Sequence, residues 1–302
     1  MKRLWYFSEE KSSRDPAVIY HNGKYYACFA GKNDSIGVCS SGAPEGLAEA
    51  EVKTVFKAPL GTAYSKQLWA PELHVIDGKC YIYVACDNGN NHTHRMYVLG
   101  NDSGDPEKEY HMLGKICDGT DKWAIDGTVI TCGGKSYFVW SGWEGDTNVC
   151  QNLYISAMKS PTELEGERYL ISTPEYDWEK LGATGKEESP FINEGPFGVW
   201  LDGELYLLYS GAGSWCEDYC IAYLKYLGGD PTSIASWQKC KKPILSKNDE
   251  LKGAGHPSVI QKDGENLIFF HAWSRDEQNV VWNRVYAYVA RLYKKDGELI
   301  IE

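Results

Sequence analysis

The chain has 302 residues, of which 43% are hydrophobic and 24% are charged, and its 31 Lys and Arg against 42 Asp and Glu give a net charge of −11 at pH 7. This composition is typical of a globular protein with one large domain or two small ones. The negative charge argues against nucleic acids and anionic membranes as partners, because both need a basic face, and it leaves a neutral ligand open.

The chain shows no targeting signal and no cysteine framework. No run approaches the ~18 consecutive apolar residues of a membrane-spanning helix, and the first ten residues lack the apolar core of a secretory signal. The ten cysteines form no C-x-x-C pair, and several lie in apolar β-like runs, among them Cys28, Cys80 and Cys86. We therefore expect a cytoplasmic protein with reduced cysteines; a secreted protein is the alternative if a leader has been removed.

Five segments share one pattern, in which two short runs of β-branched and aromatic residues flank a two-residue turn. In chain order they are VIYHNGKYYACFAG, HVIDGKCYIYVACD, VITCGGKSYFVWSG, VWLDGELYLLYSGA and VIQKDGENLIFFHA. Their turn pairs are Asn22-Gly23, Asp77-Gly78, Gly133-Gly134, Asp202-Gly203 and Asp263-Gly264. Such pairs tolerate positive φ and are typical of two-residue hairpin loops. The pattern predicts five β-hairpins.

The spacing of these hairpins predicts the fold. The turn glycines follow one another after 55, 56, 69 and 61 residues, and a β unit that recurs at this period is typical of a propeller or a solenoid. Roughly 60 residues per unit fit four strands and their loops. We expect an all-β protein, with residues 1–302 forming a single five-bladed β-propeller of four antiparallel strands per blade.

The repeat also predicts a shared centre. The residues eight positions before the turn glycines are Asp15, Ala70, Asp126, Gly195 and His256, with Glu194 and Trp69 each one position earlier in their copies. A proline closely follows the candidate residue in four copies, where it restrains the backbone. For each copy taken alone, an ordinary turn is the alternative to a functional role. In a propeller these positions are related by rotation about one axis, so three carboxylates and one histidine are expected to meet at one mouth of the central channel.

Clustered carboxylates have a characteristic chemistry. Because they repel, one is expected to have a raised pKa and to act as an acid while another stays ionised as a base. Two carboxylates that flank a glycosidic bond are the usual equipment of a glycoside hydrolase. A hard-cation cage formed by Asp15, Asp126, Glu194 and His256 is the competing interpretation.

Five motifs resemble, in order and spacing, the blade-start motifs of glycoside hydrolase family 43. They are RDPAVIYHNGKYYACFAG, LWAPELHVIDGKCYIYV, AIDGTVITCGGKSYFVWSGWEG, INEGPFGVWLDGELYLLYSGAG and GAGHPSVIQKDG, and the similarity runs from about Arg14 to Gly297. The resemblance implies a five-bladed propeller and hydrolysis with inversion. It implies that Asp15 is the general base, that Glu194 is the general acid, and that Asp126 raises the pKa of that acid and orients the sugar. Inversion predicts a separation of roughly 6.5–9.5 Å between the carboxyl groups of Asp15 and Glu194.

The resemblance extends to three more positions. His256 matches a family histidine that faces a channel cation, usually calcium or sodium and often through water; a buried histidine bonded to backbone is the alternative. Trp69 matches a tryptophan that offers an apolar face to the terminal sugar, against an ordinary core tryptophan. Arg284 corresponds to a family arginine that reaches substrate hydroxyls. A second arginine, common three residues further on, is replaced by Ala287, for which Asn283 and Tyr286 are the candidates to compensate.

Two segments are expected to be loops at the mouth of the pocket. Residues 87–95 hold His92 and His94, and their Asn-rich composition favours a solvated loop over a metal site. Residues 141–148 place Trp143 where it could stack on a sugar or pack within the protein.

Together these observations predict an inverting hydrolase that releases terminal α-L-arabinofuranose from arabino-oligosaccharides or arabinose-decorated glycans. A β-xylosidase of the same family is the first alternative, and a propeller that binds glycans without cleaving them is the second. The expected partner is a neutral oligosaccharide, with no nucleic acid and no membrane. The chemistry is expected to need no cofactor, and a structural calcium or sodium ion in the channel is the further group that the resemblance implies.

Overall fold

A computed structural model describes residues 1–278, 281 and 284–302. Within these ranges the chain forms twenty-two β-strands and four short 3₁₀ helices, so the predicted all-β class is confirmed. The helices are Pro44–Leu47, Asn91–Thr93, Asp177–Lys180 and Ile234–Ser236. None of the helices in the described ranges is long and apolar enough to cross a membrane.

The strands form four hydrogen-bonded sheets, and β1 (Lys2–Tyr6) belongs to the last of them. The first sheet contains β2 (Ala17–His21), β3 (Lys24–Gly31), β4 (Ser35–Ser41) and β5 (Lys53–Lys57). The second contains β6 (Lys66–Ile76), β7 (Lys79–Asp87), β8 (Arg95–Asn101) and β9 (His111–Lys115). The third contains β10 (Ala124–Cys132), β11 (Lys135–Trp143), β12 (Cys150–Ser160), β13 (Glu163–Leu164), β14 (Tyr169–Ser172), β15 (Phe191–Leu201), β16 (Glu204–Gly211), β17 (Cys220–Tyr226) and β18 (Trp237–Lys239). The fourth contains β19 (Leu251–Lys262), β20 (Glu265–Ser274), β21 (Tyr286–Lys295), β22 (Glu298–Ile301) and β1.

The third sheet divides into two antiparallel parts. Strands β12 and β15 pair in parallel over two residue pairs, Cys150 with Phe191 and Gln151 with Ile192, whereas the other pairings in the sheet are antiparallel. The described chain thus contains five successive antiparallel groups. We number them group 1 (β2–β5), group 2 (β6–β9), group 3 (β10–β14), group 4 (β15–β18) and group 5 (β19–β22 with β1).

Each group begins with one of the five predicted hairpins. The two strands pair directly across the predicted turns, for example His21 with Lys24 and Leu201 with Glu204. Both turn residues have positive φ in every hairpin, as at Asp202 (50°) and Gly203 (78°). This backbone matches the right-handed twist of the strands, which is why Asn-Gly, Asp-Gly and Gly-Gly stand at these turns.

Five clusters of buried apolar side chains join neighbouring groups in a cycle. One cluster lies between groups 1 and 2, and the next three join groups 2 to 5 in succession. The fifth joins group 5 back to group 1, with Phe269 of β20 and Phe29 of β3 in the same cluster. Strand β1 adds Trp5 to this last cluster, so the N-terminal strand helps to connect the end of the chain to its beginning.

All ten cysteines are free, and seven of them are buried. Cys28 and Cys80 lie in the cluster between groups 1 and 2, where they serve as small apolar side chains. The sequence-based interpretation of these residues as reduced core cysteines agrees with this placement.

Candidate active site

The five residues that precede the turn glycines by eight positions all have a left-handed backbone. Their φ angles are 51° at Asp15, 42° at Ala70, 56° at Asp126, 57° at Gly195 and 54° at His256. In groups 2 to 5 the strand register shifts at this point, which marks a β-bulge. A bulge re-aims a side chain out of the alternating pattern, so the first strand of a group can direct a polar side chain towards a common centre.

In group 4 the residue at the bulge is Gly195, and the side chain that faces the centre comes from the residue before it. A Cβ atom at Gly195 would lie 3.1 Å from the ring of His256, and the positive φ of this position also disfavours a side chain. Glycine therefore occupies the bulge, and Glu194 provides the carboxylate. This explains why the acidic residue is displaced by one position in the fourth copy of the repeat.

Asp15 is held between two histidines. Its Oδ1 atom lies 3.2 Å from Nδ1 of His256 and 3.3 Å from Nδ1 of His271, and its backbone N–H donates to the same His271 nitrogen at 3.1 Å. Burial raises the pKa of Asp15, but the charge of His256 and the contacts with His271 and Arg14 outweigh it and hold the pKa well below its usual range. Asp15 is therefore ionised at neutral pH.

Glu194 has the opposite electrostatic surroundings. It is 8% exposed, and burial together with the charge of Asp126 raises its pKa to about 7, although a hydrogen bond from Tyr219 opposes the shift. The Tyr219 hydroxyl donates to Oε1 of Glu194 at 2.8 Å. A carboxyl group in these surroundings can hold a proton at neutral pH.

Asp126 contacts one neighbour of Glu194 and one neighbour of Asp15. Its Oδ2 atom accepts a hydrogen bond from the backbone N–H of Gly195 at 3.0 Å and lies 3.9 Å from Nδ1 of His256. Burial raises its pKa to about 6, and the charge of Asp15 adds to this shift while His256 opposes it. The charge of Asp126 in turn raises the pKa of Glu194.

His256 lies close to both Asp15 and Asp126 in this cluster. Burial alone would lower its pKa, but the charges of Asp15, Asp126 and Glu194 outweigh burial and raise it. These contacts make His256 a partner of Asp15 and Asp126, and a channel cation that faces His256 stays a prediction.

The carboxylate cluster opens into a cavity of about 390 Å³. Its wall contains Asp15, Asp126, Glu194 and His256, together with Trp69, Trp123 and Trp215. A larger groove of about 1000 Å³ lies beside β1 and contains none of the described site residues predicted from the sequence. The smaller cavity is therefore the one that combines the predicted carboxylates with tryptophan side chains, as a sugar site requires.

Trp69 presents a supported aromatic face to this cavity. It is 39% exposed, and its ring stacks on His94 with centroids 4.1 Å apart and an interplanar angle of 28°. His94 and Asp87 are fully buried, with His94 Nδ1 at 2.9 Å from Asp87 Oδ2. This exposure favours a platform over the core alternative for Trp69. The expectation of a solvated loop is wrong for His94, because the ring packs beneath Trp69 instead of facing water.

Trp143 does not line the cavity. It is 2% exposed and stacks behind Trp123, with ring centroids 4.6 Å apart and an interplanar angle of 11°. Trp123 reaches the cavity wall instead, and its indole N–H donates to the Asn91 carbonyl oxygen at 2.9 Å. The sugar-stacking prediction for Trp143 is therefore corrected in favour of packing, which the sequence analysis kept as its alternative.

Arg284 is not among the described residues that line the cavity. Its side chain is exposed, and it acts electrostatically on Tyr6 of β1 rather than on the carboxylate cluster. Tyr286, a candidate to compensate for Ala287, packs against the same Tyr6 with ring centroids 4.5 Å apart. A substrate contact of Arg284 stays a prediction. Asn283 lies outside the described residues.

A buried polar network holds the strand that carries Glu194. The carboxylate of Glu179 is fully buried and accepts hydrogen bonds from Lys239 Nζ at 2.8 and 3.1 Å, Asn193 Nδ2 at 2.8 Å and the Tyr209 hydroxyl at 2.9 Å. Asn193 directly precedes Glu194, and its side-chain oxygen accepts a hydrogen bond from the Ser172 hydroxyl at 2.7 Å. Because the polar groups of Asn193 are occupied on both sides, the backbone at Glu194 has little freedom.

Sequence reasoning missed two residues of the cluster, Tyr219 and His271. His271 did leave a signal, because it stands seven residues after the turn glycine, where the other copies carry Ala or Ser. Tyr219 lies just before β17, outside the repeated positions, and no pattern marks it.

The sequence is similar to those of known proteins over most of its length. The profile of Glycosyl hydrolases family 43 matches residues 9–299. An extracellular exo-alpha-(1->5)-L-arabinofuranosidase from Streptomyces chartreusis is 30% identical over 267 residues, which are 85% of this chain and 79% of that protein. The alpha-L-arabinofuranosidase 43 of Humicola insolens is 29% identical over 85% of this chain and 54% of its own length, so the chain spans about half of that relative.

Structural similarity leads to the same family. The crystal structure of an alpha-L-arabinofuranosidase from Lactobacillus brevis has a TM-score of 0.84 and 28% identity to this chain, covering 97% of this chain and 94% of that one. An endo-arabinase from Bacteroides thetaiotaomicron, at 20% identity and a TM-score of 0.75 over 99% of this chain and 100% of its own, shares the fold. The family match over almost the whole sequence means that this chain belongs to glycosyl hydrolases family 43 and is a glycoside hydrolase.

Proposed function

We propose that the chain is an inverting α-L-arabinofuranosidase that releases terminal α-L-arabinofuranose from arabino-oligosaccharides or arabinose-decorated glycans. The observation that carries this proposal is that Asp15 and Glu194 line one cavity with opposite pKa shifts. One carboxylate is ready to accept a proton and the other to donate one, which is the pairing that glycoside hydrolysis needs.

We further propose that the fold is a single domain, a five-bladed β-propeller with one blade per strand group. The cycle of five apolar clusters supports this arrangement, because the last cluster joins group 5 to group 1. Pairing of β1 with β21 gives the fifth blade a strand from the N-terminus. The bulged first strands then face the central axis.

In the proposed reaction Asp15 acts as the general base. Its ionised carboxylate takes a proton from a water molecule as the water oxygen attacks the anomeric carbon from the face opposite the leaving group. His256 keeps Asp15 ionised before the reaction and orients its carboxylate. Inversion follows because the water itself, rather than a protein carboxylate, forms the new bond to the anomeric carbon.

Glu194 acts as the general acid in the same step. Its proton passes to the glycosidic oxygen as the bond between that oxygen and the anomeric carbon breaks. Asp126 makes this possible, since its charge disfavours ionisation of Glu194, and it orients the sugar. The products are an alcohol and a sugar with the opposite anomeric configuration, and protons exchanged with solvent restore both carboxyl groups.

This mechanism predicts a one-sided pH profile between about pH 4 and pH 9. Glu194 must be protonated, and its pKa is raised to about 7, so kcat/KM is expected to fall as the pH rises through 7. Asp15 must be ionised, and its pKa lies well below the usual range, so loss of the base is not expected to limit the rate above pH 4. A profile of kcat/KM against pH measures this directly; a maximum near pH 9 would contradict it.

The aromatic platform and the relatives together suggest the sugar. Carboxylates on the cavity wall repel an anionic ligand, and the exposed face of Trp69 suits the apolar face of a neutral sugar ring. The relatives from Streptomyces chartreusis and Humicola insolens are both named as arabinofuranosidases, which favours arabinose over xylose.

Hydrolysis of two aryl glycosides tests this assignment. We expect the purified protein to release 4-nitrophenol from 4-nitrophenyl α-L-arabinofuranoside with a kcat/KM far above that for 4-nitrophenyl β-D-xyloside. The reverse preference would identify a β-xylosidase. Turnover of neither glycoside, or of arabino-oligosaccharides, would contradict the proposed function.

Two smaller proposals concern the surroundings of the enzyme. The ten free cysteines support a reducing, cytoplasmic location, whereas the relative from Streptomyces chartreusis is named as extracellular. Cell fractionation distinguishes the two locations. The proposed steps use side chains of this chain, and a calcium or sodium ion in the channel stays a prediction that metal analysis of the purified protein tests.

A further inference from the structure

We propose that Tyr219 is the positioning residue that determines which oxygen of Glu194 carries the transferable proton. The inference rests on the proposed role of Glu194 as the general acid. It concerns a residue outside the repeat, and it explains how one of two chemically equivalent oxygens is selected.

The hydroxyl of Tyr219 binds one of the two carboxyl oxygens of Glu194. Tyr219 is fully buried, and its O–H donates to Oε1 of Glu194 at 2.8 Å. Among the described residues, none donates a hydrogen bond to the second oxygen, Oε2, and Glu194 lines the cavity. A carboxyl oxygen that already accepts a hydrogen bond from Tyr219 is a poor place for the acid's own proton. The proton is therefore held on Oε2.

The ring of Tyr219 is fixed from two sides. It stacks on His271 with centroids 5.7 Å apart and an interplanar angle of 16°. A Cβ atom at Gly255 would lie 1.8 Å from the Tyr219 ring, so the glycine at the third position of the G-A-G-H motif leaves room for the ring. A side chain held this closely cannot move its hydroxyl from one carboxylate oxygen to the other.

The same stack connects the acid to the base. His271 accepts a hydrogen bond at Nδ1 from the backbone N–H of Asp15, at 3.1 Å. Burial and the charge of Arg14 lower the pKa of His271 to about 4, so the ring is neutral and can accept this bond at neutral pH. Asp15, His271, Tyr219 and Glu194 thus form one continuous chain of contacts that sets the base and the acid relative to each other.

The hydrogen bond has a predictable chemical effect. The groups that act on Glu194 are Asp126 and Asp15, which disfavour its ionised form, and His256 and Tyr219, which favour it. Removing the Tyr219 hydroxyl leaves the proton distributed over both oxygens and takes away one group that stabilises the carboxylate formed by proton transfer. Protonation of a poor leaving group is expected to suffer, whereas a good leaving group needs little help.

The test compares Tyr219→Phe with wild type on aryl α-L-arabinofuranosides whose leaving groups range from 2,4-dinitrophenol to phenol. We expect kcat/KM for the phenyl substrate to fall about 10- to 100-fold, with little change for the dinitrophenyl substrate. The alkaline limb of the pH profile is expected to move to higher pH. An equal loss for every leaving group, or no loss at all, would overturn the inference.

A matched control and a second variant keep the test decisive. Tyr83→Phe removes another buried tyrosine hydroxyl, one that donates to the Pro161 carbonyl oxygen at 2.8 Å, and is expected to leave the leaving-group dependence unchanged. If Tyr219→Phe does not fold, 3,5-difluorotyrosine at position 219 keeps the shape and makes the hydroxyl a stronger donor. The alkaline limb is then expected to move to lower pH, and an unmoved limb would overturn the inference.

A failure of the inference about Tyr219 can be distinguished from a failure of the proposed function. If wild type hydrolyses no arabinofuranoside, the proposed function fails. The pKa of Glu194, followed by ¹³C NMR in wild type and Tyr219→Phe, still decides whether Tyr219 controls this carboxyl group: a higher pKa in the variant supports the inference, and an unchanged pKa contradicts it.

Discussion

The Asp15→Asn variant is expected to lose about 10²–10⁴-fold in kcat/KM for 4-nitrophenyl α-L-arabinofuranoside, because an amide cannot take the proton from the attacking water. The change keeps the size of the side chain and leaves His256 and His271 in place. Initial rates at pH 6, where Glu194 still holds its proton in wild type, measure the loss without interference from the acid.

Asp263→Asn is the matched control for this variant. Asp263 has nearly the same backbone as Asp15, with φ of 53° against 51°, but lies in the exposed turn of the last hairpin, where its carboxylate pairs with Lys262. The same chemical change there is expected to leave the rate within roughly twofold of wild type, because Asp263 is not among the described residues that line the cavity and its surface ion pair contributes little to stability. If Asp15→Asn behaved like Asp263→Asn, Asp15 could not be the base.

The second large effect concerns stability. Glu179→Gln is expected to lower the free energy of unfolding by about 3–5 kcal/mol, because it leaves the ammonium group of Lys239 buried without its counter-charge. The side chain of Lys239 is 10% exposed and that of Glu179 is 0% exposed, so water cannot replace the lost partner. Urea unfolding followed by circular dichroism measures the change.

An exposed ion pair provides the comparison. Glu163 and Lys159 are 2.9 Å apart, with side chains 57% and 64% exposed, and Glu163→Gln is expected to change the free energy of unfolding by about 0.3–0.5 kcal/mol at most. Replacing both buried partners, as in Glu179→Leu with Lys239→Met, is expected to cost less than Glu179→Gln alone. A single variant as stable as wild type would mean that the network does not hold the strand of Glu194.

The hairpins and the shared centre could be predicted from the sequence because both depend on local chemistry. Turn pairs such as Asn22-Gly23 and Asp263-Gly264 require positive φ, and few residue types supply it. Counting eight residues back from each turn then reaches Asp15, Asp126 and His256, which the structure brings together. Residues at the same offset from the turn occupy equivalent places in the five groups. Counting along the sequence therefore shows which side chains come together in space.

The remainder of the site depends on contacts that no spacing encodes. Tyr219 reaches Glu194 from a loop before β17, and His94 reaches Trp69 from the beginning of β8. The sequence suggests Trp143 as a sugar platform, but Trp143 stacks on Trp123, and it is Trp123 that reaches the cavity wall. The position of Arg284 is likewise decided by its proximity to the N-terminal strand, far away in sequence.

The configuration of the first-formed product tests the central claim most directly. Hydrolysis of an α-L-arabinofuranoside, followed by ¹H NMR within the first minutes and before mutarotation, is predicted to show β-L-arabinofuranose as the initial sugar. This result is required if Asp15 activates water while Glu194 protonates the leaving oxygen. Initial release of the α anomer would mean a retaining enzyme with a protein nucleophile, and it would contradict the roles assigned to both carboxylates.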